Sequence, residues 1–178
     1  MYAYGIQAMH FGGSRQSVPL HTRMLYCKGF QQGFYTISEC NRHDPVAITA
    51  HLTEVMAYFL SDRPSIKRVH CISVGPTTQY PSKTMFYLVT HYLSKVGTIF
   101  RRLSNITWNF SEAGHGKGVP DGIGGFLKKL LDDLIRRGID IPDFNVLVDE
   151  LKDRVTSVFI STVSNQEIES VRRSRTNV

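Results

Sequence analysis

The first forty residues of the chain alternate between apolar and polar positions in three short runs. The runs are YAYGIQAMHF (2–11), VPLHTRMLYC (18–27) and GFYTISEC (33–40), and glycines lie in the segments between them. Alternation with a period of two is typical of strands that bury one face, and glycine is typical of the turns that join such strands. This part of the sequence therefore predicts three successive antiparallel strands.

A helical pattern follows these strands. Asp44 is a favourable N-cap residue and Pro45 suits the first helical position. The next residues place apolar side chains three and four positions apart, which is typical of a helix with one buried face. That face carries Ile48, Leu52, Val55, Met56 and Phe59. We expect the helix to end at Arg63, because a residue that precedes proline disfavours helical backbone angles.

The rest of the chain alternates between strands and helices. VHCISVG (69–75) and NITWNF (105–110) predict strands, and KTMFYLVTHYLSKVGTIF (83–100) predicts a helix between them. A further helix is expected from Pro120 and Asp121, which suit a helix start, to Gly138, which suits a helix end. Beyond it we predict, in order, a short helix at 143–154, a strand-like run TSVFISTVS (156–164) and a frayed basic tail VRRSRTNV (171–178).

This order of elements predicts an α/β fold of the α+β kind, with a mixed sheet between helices. Three strands, a helix, a strand, a helix, a strand and a helix is also the order of the RNase H-like fold. We therefore expect an RNase H-like domain at residues 1–138, with a five-stranded mixed sheet and helices on both faces. Residues 139–178 are expected to form a C-terminal extension with a helix, a strand-like segment and a flexible basic tail.

Composition narrows the class of protein. Of the 178 residues, 42% are hydrophobic and 20% are charged, which is ordinary for a globular domain. The three cysteines, Cys27, Cys40 and Cys71, are too widely spaced for a disulfide framework or a CxxC metal half-site. The sequence shows neither an apolar run of membrane-spanning length nor a signal-peptide pattern. We expect an intracellular protein, nuclear or cytoplasmic, without a membrane partner.

Charge is unevenly distributed along the chain. The net charge is +6, yet residues 1–38 and 63–111 contain no Asp or Glu at all. The second of these segments carries seven Lys and Arg residues, and ten of the fifteen acids lie after Gly118. A positive total is consistent with an anionic partner such as nucleic acid. Most of the N-terminal two-thirds offers no carboxylate for catalysis.

The segment NFSEAGHGKGVPDGIGGFLKK (109–129) contains six of the fourteen glycines. The spacing of its glycines excludes both the phosphate-binding P-loop and the dinucleotide-binding fingerprint. His115 has no second His or Cys at the spacing of a zinc site. By residue chemistry alone, Asp121 is either an acid that stabilises a helix start or a member of a functional site. Lys117, Lys128 and Lys129 are equally consistent with a solvated surface.

The same segment resembles a motif of transposon-derived animal proteins, most of them uncharacterised. The motif has the form W-x-[FY]-x-x-[AS]-x-HGKG-x-x-DG-[IV]-GG-x-x-K, and this chain matches it from Trp108 to Lys128. The resemblance implies an RNase H-like transposase domain of the acidic-triad type. It also implies that Asp121, at the start of the last helix of that domain, corresponds to the third metal-binding acid.

The resemblance continues more weakly over most of residues 4–137, where two departures stand out. In the family, a first strand like VQVDFAENY and a fourth like IFSDGAASQFKNR each contribute one catalytic Asp. The corresponding stretches here are IQAMHFGGS and CISVGPTTQYPSK, which place His10 and Val74 at those positions. Two-metal phosphoryl transfer needs carboxylates that converge on Mg²⁺ or Mn²⁺. Glu112 and Asp121 alone could hold at most one ion weakly, so any metal site at Asp121 would be weak or vestigial.

These observations predict a transposase-derived RNase H-like domain that is catalytically inactive and retains nucleic-acid binding. The resemblance and the local charge together suggest Lys67, Arg68, Lys83, His115, Lys117, Lys128 and Lys129 as nucleic-acid contacts. Two alternatives remain open at this point. One is a protein-interaction module or a relic without activity, and the other is a divalent-metal-dependent DNA nuclease or strand transferase. No cofactor is expected, and Mg²⁺ or Mn²⁺ would be needed only by an active enzyme.

Overall fold

A computed structural model describes residues 2–11, 16–74, 83–93, 100–111 and 118–176. Six strands of this part of the chain form one sheet in the order β5-β4-β1-β2-β3-β6. The strands are β1 Tyr2–Phe11, β2 Gln16–Cys27, β3 Phe30–Ile37, β4 Arg68–Val74, β5 Asn105–Ser111 and β6 Val158–Thr162.

The directions of the strands make the sheet mixed, as predicted. Strands β1, β2 and β3 form an antiparallel meander, which confirms the first prediction from the sequence pattern. On the other side of β1, β4 and β5 run parallel to it. The run TSVFISTVS forms β6, which pairs in parallel with β3 and adds a sixth strand to the predicted five. Pairing with β6 satisfies the hydrogen-bonding groups that β3 would otherwise expose at the edge of the sheet.

The helices of the described residues flank this sheet. They are α1 Pro45–Ser61, α2 Lys83–Tyr87 with a π-helical turn Leu88–Tyr92 directly after it, α3 Val119–Arg136, α4 Phe144–Arg154 and α5 Asn165–Thr176. None of them combines the length and the apolarity that a membrane span requires. The prediction of a frayed tail from residue 171 onward is wrong as far as Thr176, where α5 ends. Ile168 and Val171 of this helix are buried in a cluster that also contains Ala47 of α1.

Helices cover both faces of the sheet, as predicted. On one face, Leu127 and Leu131 of α3 pack in a core with Leu151 of α4 and with alternate residues of β2 and β3 such as Tyr35. The opposite face carries Phe34, which packs in a second core with α1 and with residues of β4 and β5. The first core contains side chains that precede residue 138 in the sequence and side chains that follow it. The segment predicted to be an extension therefore belongs to the same sheet and the same core as the preceding residues.

The predicted helix ends are confirmed at three positions. Asp44 caps α1, since its carboxylate accepts a hydrogen bond from the backbone nitrogen of Ala47 at 3.0 Å. Helix α3 begins at Val119 with Pro120 and Asp121 in its first turn. The chain leaves this helix through Gly138, whose φ of 81° lies in the left-handed region that favours glycine.

Candidate nucleic-acid interface

Asp121 lies where the sequence predicts, in the first turn of α3. Its backbone nitrogen donates to the carbonyl of Gly118 at 3.0 Å, and its side chain is half-buried. Two residues later, the Cδ1 atom of Ile123 lies 2.8 Å from the position that a Cβ on Gly33 would occupy. The absence of a side chain on β3 thus lets the start of α3 approach the sheet closely.

The structure does not bring His10 and Val74 together. Ala3 of β1 lies opposite Ser73 of β4, so continuing the parallel register places Tyr4 level with Val74. His10 lies opposite Ser17 of β2, whereas Tyr4 lies opposite Thr22, five residues away along β2. At about 3.3 Å per residue this separation is about 17 Å. The two positions suggested by the resemblance are therefore not adjacent in this sheet.

Carboxylates are missing from the sheet itself. None of the six strands, within the bounds given above, contains an Asp or a Glu. Among the described residues, no three His, Cys, Asp or Glu side chains come close enough together to hold a metal ion. The alignment of the family's strands with this chain therefore does not matter here. Under any alignment, no strand of the sheet supplies a carboxylate to act with Asp121.

The remaining residues suggested by the resemblance are scattered. His115 and Lys117 lie outside the described residues. Lys83 is the exposed first residue of α2, and the exposed Lys128 and Lys129 lie in the middle of α3. Lys83 therefore lies on a different helix from Lys128 and Lys129.

Lys67 and Arg68 lie at the other end of the sheet from Val74. Arg68 is the first residue of β4 and Val74 is its last, and both Lys67 and Arg68 are exposed. The carbonyl of Lys67 accepts hydrogen bonds from the backbone nitrogen of Ser104 at 2.7 Å and from its hydroxyl at 3.0 Å. These two cations thus lie next to the segment that precedes β5, at the opposite end of β4 from Val74.

A surface that we call the basic end consists of three neighbouring segments at one end of the sheet. They are the β2–β3 turn (26–31), the segment that follows α1 (62–68) and the segment that precedes β5 (100–105). The basic end carries six positive side chains and the single carboxylate of Asp62. The positive residues are Lys28, Arg63, Lys67, Arg68, Arg101 and Arg102.

Sequence reasoning missed this grouping because the segments are far apart in the chain. The acid-free stretch from residue 63 to 111 signalled positive charge, but it gave no sign that Lys28 lies nearby. In the structure the β2–β3 turn, which contains Lys28, lies against the segment after α1. The Arg63 guanidinium lies 4.0 Å from the centre of the Phe30 ring. Tyr26 and Ile66 both line one concavity, which lies between the end of β2 and the segment after α1.

Two of the six cations have clear structural roles. Arg63 donates to the carbonyl of Phe59 at 3.1 Å, and its guanidinium also covers the Phe59 ring at 4.7 Å. Arg102 donates to the carbonyl of Leu60. Both arginines therefore satisfy carbonyls at the C-terminus of α1, where a positive charge is favourable. Lys28, Lys67, Arg68 and Arg101 are left as exposed cations.

A buried polar cluster under α1 was also missed by sequence reasoning. His21 and His51 are 2% and 0% exposed, and their rings stack with centroids 3.8 Å apart. The His51 Nδ1 lies 2.9 Å from the Thr36 hydroxyl, which also accepts a hydrogen bond from the buried Arg23 guanidinium at 3.2 Å. The one available signal was the pair His21 and Arg23, which lie at alternate positions of β2.

The electrostatics of this cluster keep both imidazoles neutral. Burial, the neighbouring His51 and the positive charge of Arg23 hold the pKa of His21 well below its usual value. Burial and Arg23 likewise hold the pKa of His51 well below its usual value. Because the Nε2 atoms of both rings have no hydrogen-bond partner within the described part of the chain, nothing there compensates an added proton. The cluster therefore acts as part of the core.

Comparisons with known proteins give a family. A family model described as "Domain of unknown function (DUF8701)" matches residues 3–177, which is nearly the whole chain. Searches of curated proteins and of solved structures found no match. The chain therefore belongs to the DUF8701 family.

Proposed function

We propose that the chain is an RNase H-like domain of transposase ancestry that binds nucleic acid without cleaving it. Its strand order and directions support the RNase H-like part. A three-stranded antiparallel meander is followed by two strands that run parallel to β1 on its other side, and the helix with Asp121 comes after them. This is the arrangement that the element order and the HGKG-x-x-DGIGG motif lead one to expect.

The proposed lack of catalysis rests on one observation, which is that the six strands of the sheet contain no carboxylate. A two-metal nuclease or strand transferase needs several acids around its ions, to balance their charge and to set their separation. Asp121 and Glu112, the two acids of the motif segment, are too few for this. The positive net charge of +6 instead favours contact with a phosphate backbone.

A gel-shift titration of the purified chain against salt tests the binding. We expect binding to labelled DNA and RNA at low ionic strength that weakens steeply as salt is added, because phosphate contacts release counterions. No binding at low ionic strength would contradict the proposal.

A nicking assay in Mg²⁺ or Mn²⁺, with Asp121→Ala as the control, tests the absence of catalysis. We expect no cleavage by either protein. Cleavage by the wild-type chain that Asp121→Ala abolishes would show an active enzyme and contradict this part of the proposal.

A protein-interaction module is the second candidate, and the outer side of α3 favours it. Val119 and Phe126 lie seven residues apart on this helix and are 51% and 49% exposed. Gly122 and Gly125, between them, leave open space on the helix surface. A change of oligomeric state on Phe126→Ser, measured by light scattering, together with no nucleic-acid binding, would support this candidate over the first.

A further inference from the structure

We propose that β5 is a dimer interface, at which β5 of one chain pairs in the antiparallel direction with β5 of a second copy. This inference goes beyond the proposed function, because it concerns assembly of the chain and not its contact with nucleic acid. The pairing would join two sheets into one continuous sheet with six strands from each copy.

Strand β5 lies at the edge of the sheet. Within the described ranges β4 is its only strand partner, and β5 pairs with β4 along the whole of Asn105–Ser111. Because successive residues of a strand turn their backbone N–H and C=O groups to alternate sides, about half of these groups on β5 point away from β4. Such a row of groups is a template for pairing with another strand.

The residues of β5 do not protect this edge. Its sequence, NITWNFS, contains no charged residue and no proline, which are the residues that commonly keep natural edge strands unpaired. The other edge strand, β6, is shorter and has a carboxylate beside it, since the Ser161 hydroxyl donates to Glu54 of α1 at 2.7 Å. The difference favours β5 as the edge that accepts a second copy.

The sequence of β5 is self-complementary when two antiparallel copies pair about Trp108. Apolar positions then lie opposite apolar ones, with Ile106 opposite residue 110 and Trp108 opposite its own copy. Polar positions lie opposite polar ones, with Thr107 opposite Asn109. This register pairs all seven residues of the strand, whereas a shift of two residues would leave two residues of each strand without a partner. Pairing about Trp108 is therefore the favoured register.

This register also aligns the layers of the two copies. The two-fold axis passes through Trp108 perpendicular to the sheet, so each face of one sheet continues into the same face of the other. Ile106 and Trp108 belong to the face that packs with α1. Thr107 and Asn109 belong to the opposite face, on which Asn109 is exposed. The interface is closed, as expected for a symmetric dimer.

The antiparallel direction keeps like charges apart. Arg101 and Arg102 precede β5, and Arg68 of β4 lies opposite Asn105 at its start. In the proposed pairing the start of each β5 lies beside the end of the other, so the two starts are about 20 Å apart. This distance exceeds the Debye length of about 8 Å at physiological ionic strength. Parallel pairing would place the two sets of cations side by side.

Sedimentation velocity of the full chain over a wide range of concentrations tests the pairing. We expect the wild type to change from monomer to dimer as the concentration rises. The double variant Thr107→Lys, Asn109→Lys places lysines directly opposite each other at two positions of the dimer, so it should remain monomeric. The matched variant Thr107→Lys, Asn109→Glu places opposite charges at the same positions and should dimerise like the wild type.

Disulfide cross-linking tests the register. In the double variant Thr107→Cys, Asn109→Cys, each new cysteine lies opposite a new cysteine of the second copy. Opposite Cα atoms of an antiparallel pair are about 4.5–5.5 Å apart, which is within the range of a disulfide. We expect a covalent dimer on a non-reducing gel after mild oxidation. The control Asn105→Cys, Thr107→Cys places no new cysteine opposite another and should form far less covalent dimer.

Three outcomes would overturn the inference. They are a wild type that stays monomeric at every concentration, a dimer that persists in the double-lysine variant, and a dimer that Phe126→Ser dissociates, which would move the interface to α3. Thermal unfolding of each variant checks the fold. If the double-lysine variant does not fold, Asn109→Lys alone replaces it, because Asn109 is exposed. The gel-shift titration remains a separate measurement, so failure of the dimer and failure of nucleic-acid binding are distinguishable.

Discussion

The imidazole rings of His21 and His51 stack in the core at 3.8 Å between centroids, with 20° between their planes. His21 belongs to β2 and His51 to α1, so the contact joins the sheet to the helix that covers it. The positive charge of Arg23 lies beside both rings, and His43 also acts on them electrostatically. The pair is stable in this position because both rings are neutral.

We expect the protein to lose stability as the pH falls below about 6.5, the ordinary pKa of histidine. In the folded state the pKa values of His21 and His51 are lowered, so the unfolded chain binds more protons in this range. Stability is therefore complete above that pH and is lost as the pH falls toward the folded pKa values. Denaturant unfolding at about pH 7 and about pH 5 measures it. The double variant His21→Gln, His51→Gln should show a smaller difference, whereas the exposed His91→Gln should behave like the wild type.

Gly122→Ala and Gly125→Ala should each stabilise the protein by about 1 kcal/mol. Both glycines are helical, and a Cβ added at either would meet no atom within 4 Å apart from its chain neighbours and the helix backbone, so alanine gains helix propensity without a clash. Gly138→Ala is the contrasting variant and should lower the free energy of unfolding. Gly138 has a φ of 81°, which strains any residue with a Cβ. Thermal or denaturant unfolding compares the three. Destabilisation by either of the first two would mean that a partner segment occupies this side of α3.

Leu151→Ala should destabilise the protein by about 2–5 kcal/mol. Leu151 is 0% exposed and packs with Leu127 and Leu131 of α3, although it follows residue 138 in the sequence. Lys152→Ala, at the exposed neighbouring position, should change the free energy of unfolding by no more than about 0.5 kcal/mol. Similar values for the two variants would indicate that α4 is not part of the main core.

Asp44→Ala should cost about 1 kcal/mol, because it removes the N-cap of α1. The same carboxylate also forms an ion pair with Arg42, which in turn contacts Glu169 of α5. Asp44→Asn keeps a capping oxygen and removes the charge, so it should retain most of the stability. Equal losses for Asn and Ala, measured by denaturant unfolding, would assign the effect to the ion pair instead of the cap.

Cys71 should resist alkylation in the folded protein, whereas Cys27 and Cys40 should react. Burial raises the pKa of the Cys71 thiol to about 11, so little thiolate forms at neutral pH, and the other two side chains are only half-buried. Mass spectrometry after brief iodoacetamide treatment reads the three sites separately. All three should react in denaturant, and fast labelling of Cys71 without denaturant would contradict the burial of β4.

Sequence reasoning succeeded where the signal is local. The N-cap at Asp44, the start of α3 at Pro120 and Asp121 and its end at Gly138 depend on neighbouring backbone groups, and all were predicted correctly. It failed where pairing between distant segments determines the position of a strand. The run TSVFISTVS was predicted to be strand-like, but only its pairing with β3 places it in the sheet. The register of β1 against β4 likewise separates His10 from Val74, which alignment of motifs could not reveal.

By itself the sequence determined the positions of most strands and helices, the mixed character of the sheet and the absence of carboxylates from its strands. These properties follow from periodicity, capping chemistry and residue type, all of which are read directly along the chain. Only the tertiary structure decided which distant residues meet. It stacked His21 on His51 beneath α1 and brought Lys28 and Tyr26 to the same end of the sheet as Arg63 and Arg68. Such contacts depend on strand register and on how helices pack across a sheet, and residues far apart in sequence carry no local record of either.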